Sequence, residues 1–337
     1  MQRLYKKEKI SQEKARWWLA ERGQRIDLRL NGQYKLVASP DCQPRTPAED
    51  TGIMRILLFG ANGQLAQDLK VALTEDEVIG LTHGEIDIRD YPAVEAAAKK
   101  HQPDCLLNTA AFHRVDECED QVEPSFAVNA AGVHNLVRVA NQCGAVLVHF
   151  STDYVFEGVQ RKPRVETDAP NPQSIYALSK LAGELIVRRY AQKYFLIRTC
   201  GLYGRAGSGG KGGNFVETML RLARAGKPIR VVSDQVLTPT NTKDLAEKLA
   251  PLLHTNKYGL YHMTNAGECS WCDFAAEIFR LAGLTPDLQP TTSAAFGAKA
   301  RRPAYSVLDN LAYRNASFAD FRPWQEALAD YMRAAKP

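Results

Sequence analysis

The stretch from Met54 to Ala66 reads MRILLFGANGQLA, an apolar run that passes directly into a glycine-rich turn. The apolar run predicts a buried β-strand, and the turn carries Gly60 and Gly63, with Ala66 where a third glycine often stands. Glycines after a first strand permit a tight turn and let a pyrophosphate approach the N-terminus of the next helix. A plain turn is the competing interpretation, so the rest of the chain has to decide.

Downstream of this stretch, strand-like apolar runs alternate with helix-like amphipathic runs. Such alternation predicts a parallel sheet covered by helices on both faces, a Rossmann-like doubly wound α/β fold. The regularity weakens in the last third of the chain. We therefore expect an NAD(P)-binding domain over residues 54–230 and a smaller, mainly substrate-binding region over residues 231–337, interleaved with the first. The strand-like runs are RILLFG, EVIGL, DCLLNTAA, AVLVHFS, YFLIRTC and IRVVSD.

Residues 1–53 differ from the rest of the 337-residue chain. They are polar, hold 11 Lys and Arg against 7 Asp and Glu, and end in a proline-rich tract. We interpret them as an N-terminal extension, either disordered or the result of a start site upstream of Met54. A small helical appendage built on SQEKARWWLAERG is the alternative.

Composition and charge exclude several classes of protein. The net charge of +5 leaves the body of the chain close to neutral, so no basic stripe indicates a nucleic-acid partner. No apolar run has the length of a membrane span, and no signal peptide opens the chain. The seven scattered cysteines predict reduced thiols, and the lone C-x-x-C of Cys269 and Cys272 is too little for a metal site. We expect a cytoplasmic protein.

The heptapeptide SIYALSK places Tyr176 and Lys180 four residues apart. On a helix this spacing puts both side chains on one face, one turn apart. An ammonium that close to a phenol favours the phenolate, so Tyr176 could exchange a proton near neutral pH. An exposed helix with an unremarkable tyrosine and lysine is the competing interpretation.

The ends of two further strands carry polar residues. AVLVHFSTDYVF ends in Thr152, Asp153 and Tyr154, and ligands in doubly wound sheets bind beyond the carboxyl ends of strands. Ordinary turn chemistry is the alternative. After the second strand, Asp87 and Ile88 are placed to lie against an adenine, although a solvated acidic loop fits nearly as well. No acidic residue stands directly at that strand end, which favours NADP(H) and leaves NAD(H) as an alternative.

From Met54 onward the chain resembles the extended short-chain dehydrogenase/reductase superfamily and, within it, the dTDP-4-dehydrorhamnose reductase family. The resemblance implies NAD(P)H-dependent reduction of the C4 ketone of a nucleotide-linked 4-keto-6-deoxysugar, in dTDP-rhamnose biosynthesis. The matching segments follow one another in order and include ILLFGANGQLAQDL, LLNTAAFHRVDECE, FSTDYVFEG, ETDAPNPQSIYALSKLAGE, RTCGLYG, SDQVLTPT and RRPAYSVLDN.

The resemblance also implies residue roles. Thr152 would bind the reacting oxygen, Tyr176 would donate the proton, and Lys180 would lower the pKa of the phenol and bind the nicotinamide ribose. Some members of the family use Mg²⁺ at a dimer contact, so Mg²⁺ and a homodimer are open alternatives, without identifiable metal ligands here. The residues implied to hold the cofactor besides Tyr176 and Lys180 are Gly60, Asn62, Gly63, Gln64, Leu65, Ala110, Ala111 and Asn129.

For the substrate, the resemblance implies that Asp153 and Tyr154 line the sugar pocket. Arg301 or Arg302 would pair with the diphosphate, because a guanidinium fork matches phosphate oxygens; an arginine pair on a surface loop is the alternative.

The sequence departs from the family pattern in RTCGLYG, where Gly201 stands at a position that usually holds a tryptophan against the sugar. In SDQVLTPT, Val236 and Leu237 replace a smaller pair. A 4,6-dehydratase is disfavoured because Tyr154 stands where that enzyme carries a glutamate. The alternatives are a reductase or epimerase of another nucleotide sugar, and a non-catalytic NADP-binding subunit resembling the regulatory subunit of methionine adenosyltransferase.

Overall fold

The computed structural model describes residues 52–206 and 213–334, together with two strands at residues 24–28 and 34–38. These strands, β1 (Gln24–Leu28) and β2 (Tyr34–Ala38), pair antiparallel. The sequence did not predict this hairpin. The segment SQEKARWWLAERG, which suggested a helix, lies outside the described residues.

A six-stranded parallel sheet forms the centre of the molecule, in the order β12-β7-β6-β5-β3-β4. All of its neighbouring strands pair parallel, which confirms the predicted doubly wound α/β fold. The register aligns Phe59 with Leu81 on one side and with Asn108 on the other, so these strands end at one level. The strands are β3 (Arg55–Phe59), β4 (Glu77–Leu81), β5 (Cys105–Asn108), β6 (Val146–Thr152), β7 (Tyr194–Thr199) and β12 (Gly259–His262).

Helices cover both faces of this sheet because alternate side chains along each strand point to opposite faces. In β3, Ile56 and Leu58 pack into one buried cluster, while Leu57 and Phe59 pack into another. The helices are α1 (Gln64–Ala72), α2 (Tyr91–His101), α3 (Val115–Cys118), α4 (Val122–Phe126), α5 (Val133–Cys143), α6 (Ile175–Tyr190), α7 (Phe215–Arg224), α8 (Thr242–Leu253), α9 (Trp271–Ala282), α10 (Ser293–Phe296), α11 (Leu311–Asn315) and α12 (Trp324–Ala334).

Two short segments of other helix types lie near the site. A π-helical segment at Ala127–Gly132 joins α4 to α5, and a 3₁₀ turn at Asp153–Val155 follows β6.

The C-terminal third of the chain builds a second, smaller layer of structure. Its own core gathers around Tyr203, Phe274 and Trp324, all of which are buried. Three two-stranded sheets accompany it: β8 (Leu202–Tyr203) with β11 (Thr240–Asn241), β9 (Ile229–Val232) with β14 (Leu288–Thr291), and β10 (Val236–Leu237) with β13 (Cys269–Ser270).

The run IRVVSD forms β9 in one of these small sheets, and β12 completes the central sheet instead. The exposed Arg230 in the middle of β9 explains this placement, because a strand covered on both faces has no room for a solvated charge. Since β12 and α8 come from the C-terminal third but belong to the central sheet and its cover, the chain crosses between the two regions more than once. The boundary near residue 230 stays a prediction.

None of the helices in the described parts of the chain is long and apolar enough to cross a membrane.

Candidate active site

One cavity of about 400 Å³ opens at the carboxyl ends of the central strands. Its volume lies in the range of small-molecule sites. It reaches from the glycine-rich turn after β3 to the loops of the C-terminal region. The predicted site residues that line it are Gly63, Gln64, Leu65, Ala110, Ala111, Thr152, Asp153, Tyr154, Tyr176 and Lys180.

The glycine-rich turn presents a free helix terminus to this cavity. Gly60 has φ of +77°, and a Cβ there would lie 2.8 Å from the main-chain nitrogen of Ala110, so only glycine permits this close approach. Gly63 is the N-cap of α1 and has no side chain to cap it. The first N–H groups of α1 therefore remain available to an anion, which is how helix N-termini bind pyrophosphates. Asn62 is exposed and does not line the cavity.

Tyr176 and Lys180 lie in the first turns of α6, as the spacing predicted. Ser174 caps this helix by accepting a hydrogen bond from the main-chain nitrogen of Ala177. Lys180 is buried, and its Nζ donates a hydrogen bond to the main-chain oxygen of Phe150 at 2.7 Å. This bond joins the helix to β6, whose last residue is Thr152, so the three predicted catalytic side chains line one cavity.

The titration behaviour of the pair differs from the prediction. Burial raises the pKa of Tyr176 above its usual value, and a hydrogen bond with Thr152 offsets only part of this rise. Burial also lowers the pKa of Lys180 to about 8, and the nearby charge of Glu184 opposes that shift. The sequence predicted that the lysine would favour the phenolate, whereas in this structure loss of hydration is the larger effect on Tyr176. Tyr176 is therefore held as a protonated phenol, the form that can donate.

Several hydrogen bonds converge on the carboxyl group of Asp153, directly after the C-terminal end of β6. The Thr152 hydroxyl donates to Oδ1 of Asp153 at 2.9 Å, and the Cys200 thiol donates to Oδ2 at 2.9 Å. Ser306 also hydrogen-bonds the same carboxyl group. Burial raises the pKa of Asp153, and the three hydrogen bonds counteract that effect. Tyr154 stands beside them with its ring edge-on to Tyr176, at a centroid distance of 6.0 Å.

Besides Gly60 and Asn62, three residues predicted to hold the cofactor do not line the cavity. Asn129 is buried and clamps the chain after β5: its Oδ1 accepts from the nitrogen of Phe112, and its Nδ2 donates to the oxygen of Phe112 and to Ser179. It therefore fixes the position of a loop that lines the cavity. Asp87 forms an ion pair with Arg89, and Ile88 packs against Gly132.

The two arginines predicted for the diphosphate lie beside the cavity rather than in its wall. Arg302 forms a two-pronged ion pair with Asp116, with Nη1 to Oδ1 at 3.0 Å and Nη2 to Oδ2 at 2.8 Å. Arg301 is exposed. The ion pair ties the loop before Pro303, which lines the cavity, to α3.

Gly201 has φ of +55°, a conformation that side chains rarely adopt. A Cβ at this position would lie 2.8 Å from Cδ1 of Leu237. Both residues line the cavity, and Leu237 is buried. The two departures from the family pattern are therefore adjacent in space, and Leu237 occupies the space that a side chain at position 201 would enter.

The sequence missed several residues of the cavity wall. Thr199 ends β7 and Cys200 follows it, and the strand-end rule that singled out Thr152 applies to them equally. The hydroxyl of Thr199 and that of Ser151 are buried without a hydrogen-bond partner. Other missed lining residues include His113, Asn214, Phe215, Gln235, Trp271 and Ser306, whereas Asn108 and Thr109, in the strand-end segment NTAA that the sequence indicated, do line the cavity.

No group of three or more metal-binding side chains occurs within residues 52–206 and 213–334. Five cysteines of the described residues carry free thiols, and both members of the C-x-x-C pair are among them.

The structure combines a doubly wound sheet, a glycine-rich turn with a free helix terminus, and a cavity lined by Thr152, Tyr176 and Lys180. These features define a dinucleotide-binding oxidoreductase of the short-chain dehydrogenase/reductase type. Comparison with known proteins refines this class. The family model described as RmlD substrate binding domain matches residues 54–336. The chain therefore belongs to the dTDP-4-dehydrorhamnose reductase family, as the sequence predicted, and is an enzyme.

Individual relatives agree with this assignment. The chain is 40% identical to the spore coat polysaccharide biosynthesis protein SpsK of Bacillus subtilis, over 83% of this chain and 97% of the relative. It is 38% identical to dTDP-4-dehydrorhamnose reductase of Streptomyces griseus, over 82% and 92%. The crystal structure of dTDP-4-dehydrorhamnose reductase from Bacillus anthracis in complex with NADP superposes with a TM-score of 0.81 at 35% identity, covering 84% of this chain and 100% of that one.

Proposed function

We propose that the chain reduces the C4 ketone of dTDP-4-dehydro-β-L-rhamnose to give dTDP-L-rhamnose, with NADPH as the reductant. The proposal rests on one observation. Thr152, Tyr176 and Lys180 line the same cavity as the N-terminus of α1. The similarity to enzymes named dTDP-4-dehydrorhamnose reductase supports the choice of this sugar.

The residues present fit a nicotinamide dinucleotide. The first turn of α1 is uncapped and faces the cavity, and Gly60 lets the backbone approach closely. The loop of Ala110 and Ala111 lies opposite, held by Asn129. Lys180, whose ammonium reaches the main chain of Phe150, is placed to bind a ribose hydroxyl.

When bound, a dihydronicotinamide would supply the hydride that C4 needs. The residues of the chain provide the proton and the orientation. Tyr176 remains protonated because burial raises its pKa, so it acts as the general acid towards the ketone oxygen. Thr152 holds that oxygen by a second hydrogen bond, and Lys180 stabilises the phenolate that forms as the proton leaves.

The remaining predictions concern the partner, the oligomeric state, the location, the metal and the identity of the sugar. A nucleotide sugar is the partner, and the homodimer and the cytoplasmic location stay predictions. No role is assigned to Mg²⁺ here, and the described residues include no group of three or more metal-binding side chains. A 4-keto-6-deoxysugar other than the rhamnose precursor is the second candidate, because Gly201 and Leu237 change the wall of the cavity together.

The test follows NADPH oxidation at the nicotinamide absorbance, with dTDP-4-dehydro-L-rhamnose generated in situ. Tyr176→Phe removes the proton donor and is expected to lower kcat/KM by roughly 10²-fold or more. Tyr190→Phe is the matched control, since it removes a phenol from the exposed end of the same helix and should leave the rate unchanged.

Turnover by wild type and by Tyr190→Phe, with loss in Tyr176→Phe, supports the proposal. A folded protein that binds NADPH but does not oxidise it with this sugar contradicts the rhamnose assignment. The same assay with other dTDP-4-keto-6-deoxysugars then tests the second candidate.

A further inference from the structure

A buried carboxyl group lies directly behind the two residues assigned to the ketone oxygen. Asp153 accepts hydrogen bonds from Thr152 and Cys200, each at 2.9 Å, and also bonds Ser306. The four residues are between 2% and 6% exposed, and all of them line the cavity. The carboxyl group is thus connected to the reacting centre through one hydroxyl, that of Thr152.

The hydroxyl of Thr152 has one hydrogen and two competing acceptors. In the structure it donates to Asp153, and it also shares a hydrogen bond with Tyr176. While Asp153 is ionised it attracts this hydrogen, so Thr152 can only accept from Tyr176. The hydrogens of both residues then point away from the ketone oxygen. A protonated Asp153 instead donates to Thr152 and frees the Thr152 hydrogen for the ketone oxygen or the phenolate.

The surroundings of Asp153 favour the protonated form more than is usual for an aspartate. Among residues 52–206 and 213–334, no lysine or arginine forms an ion pair with it. The titratable groups that face it are Tyr154 on its own turn, Tyr176 on α6 and Cys200 after β7, and none of these is a cation. Burial therefore acts without a compensating positive charge and raises the pKa of Asp153.

We propose that Asp153 is a positioning residue whose protonation state sets the direction of the Thr152 hydrogen bond, and that its carboxylic acid form is the one competent for ketone reduction. This inference rests on the proposed function. As C4 gains a hydride from the dihydronicotinamide, the O–H bond of Tyr176 breaks and the O–H bond of the product alcohol forms. The Tyr176 phenolate that remains recovers a proton from water after the reaction. Thr152 and Asp153 keep their protons throughout, so they orient the ketone oxygen without supplying a proton to it.

The experiment is the pH profile of kcat/KM for wild type, Asp153→Asn and Asp153→Ala. Wild-type kcat/KM should fall as pH rises through the pKa of Asp153, and this fall is the alkaline limb of the profile. Asp153→Asn carries an amide N–H that donates to Thr152 at every pH, so it should lose this limb and stay within about tenfold of the low-pH wild-type rate. Asp153→Ala should lose roughly 10²-fold or more at every pH. An Asn variant as inactive as the Ala variant would overturn the inference.

Cys200→Ala provides a second variant. It removes a donor that stabilises the carboxylate, so the limb should move to higher pH, whereas Cys200→Ser keeps a donor and should leave it close to wild type. A limb that does not move in Cys200→Ala would contradict the proposed network.

A readout without substrate separates this inference from the proposed function. The carboxyl C=O stretch in the infrared difference between wild type and Asp153→Asn should titrate at the pH of the kinetic limb. The infrared difference between wild type and Asp120→Asn, which changes an exposed carboxylate, is the control. A carboxyl band that titrates without any sugar turnover would contradict the substrate and support the protonation of Asp153. Turnover without a titrating band would contradict the inference alone.

Discussion

Glu184 on α6 and Arg198 on β7 form a two-pronged ion pair in which both side chains are 0% exposed. Nε of Arg198 donates to Oε1 at 2.9 Å, and Nη2 donates to Oε2 at 2.6 Å. Glu184 lies one helical turn after Lys180, and its charge raises the pKa of that lysine against the effect of burial. The pair thus joins the helix of the proposed catalytic residues to the sheet and supplies a negative charge beside Lys180.

Glu184→Gln should destabilise the protein by about 3–5 kcal/mol, because it leaves the Arg198 guanidinium buried without a counter-charge. The pKa of Lys180 should fall further in this variant, since its one opposing influence is lost. Chemical denaturation measures the free energy of unfolding. Glu247→Gln is the control, as its partner Lys243 and Glu247 itself are mostly exposed, and the expected change is below about 0.5 kcal/mol. Equal effects of the two substitutions would show that the buried pair is no more important than a surface pair.

Features set by local sequence could be predicted, and features set by distant contacts could not. The spacing in SIYALSK places Tyr176 and Lys180 on one face of any helix, and the apolar run at residue 54 makes a buried strand in any α/β fold. The partner of Arg302 is Asp116, 186 positions away, and no local pattern indicates that pair. The place of β12 in the central sheet is likewise decided by how the chain returns from the C-terminal region.

The pKa of Tyr176 illustrates why neighbours in sequence are not enough. The spacing of the lysine predicts attraction, but the magnitude of burial depends on elements brought together only by the fold. Similarly, the sequence shows only that Gly201 lacks the side chain usual at this position. The structure shows that its backbone is left-handed and packs against Leu237.

Lys180 should make the stability of the protein depend on pH in the alkaline range. Its pKa is lowered from 10.5 to about 8 in the folded state, so between these values the unfolded chain binds more protons than the folded one. Stability should therefore rise with pH in this window and be insensitive to Lys180 below it. From about pH 7 to about pH 9.5, the free energy of unfolding of wild type should increase by about 2 kcal/mol relative to that of Lys180→Met. Denaturation of both proteins across this range measures the gain, and a constant difference would contradict the buried ammonium.

Gly201→Ala should destabilise the protein both through its backbone and through contact with Leu237. The positive φ costs about 1 kcal/mol, and the 2.8 Å approach of Cδ1 adds about 1–3 kcal/mol. Gly283→Ala has a similar φ of +67° with nothing within 4 Å of the new Cβ, so it should show only the backbone cost. Denaturation of the two variants isolates the contact. In Gly201→Ala/Leu237→Ala the added Cβ no longer meets Cδ1, so its cost should be less than the sum of the single substitutions. Strict additivity would mean that the contact carries no energy.

Asn129→Ala should weaken cofactor binding without touching the cofactor. Asn129 is buried and makes both of these main-chain hydrogen bonds of Phe112, so its loss leaves the part-buried N–H and C=O of Phe112 without these partners, at a cost of up to about 1–3 kcal/mol each. The freed loop carries Ala110 and Ala111, which line the cavity, so NADPH affinity measured by fluorescence titration should fall by about tenfold. Asn141→Ala removes hydrogen bonds to the main chain of Tyr190 and Gln192, outside the cavity, and serves as the control. If both variants lowered thermal stability but neither changed NADPH affinity, Asn129 would be a structural residue whose loop does not contribute to the binding site.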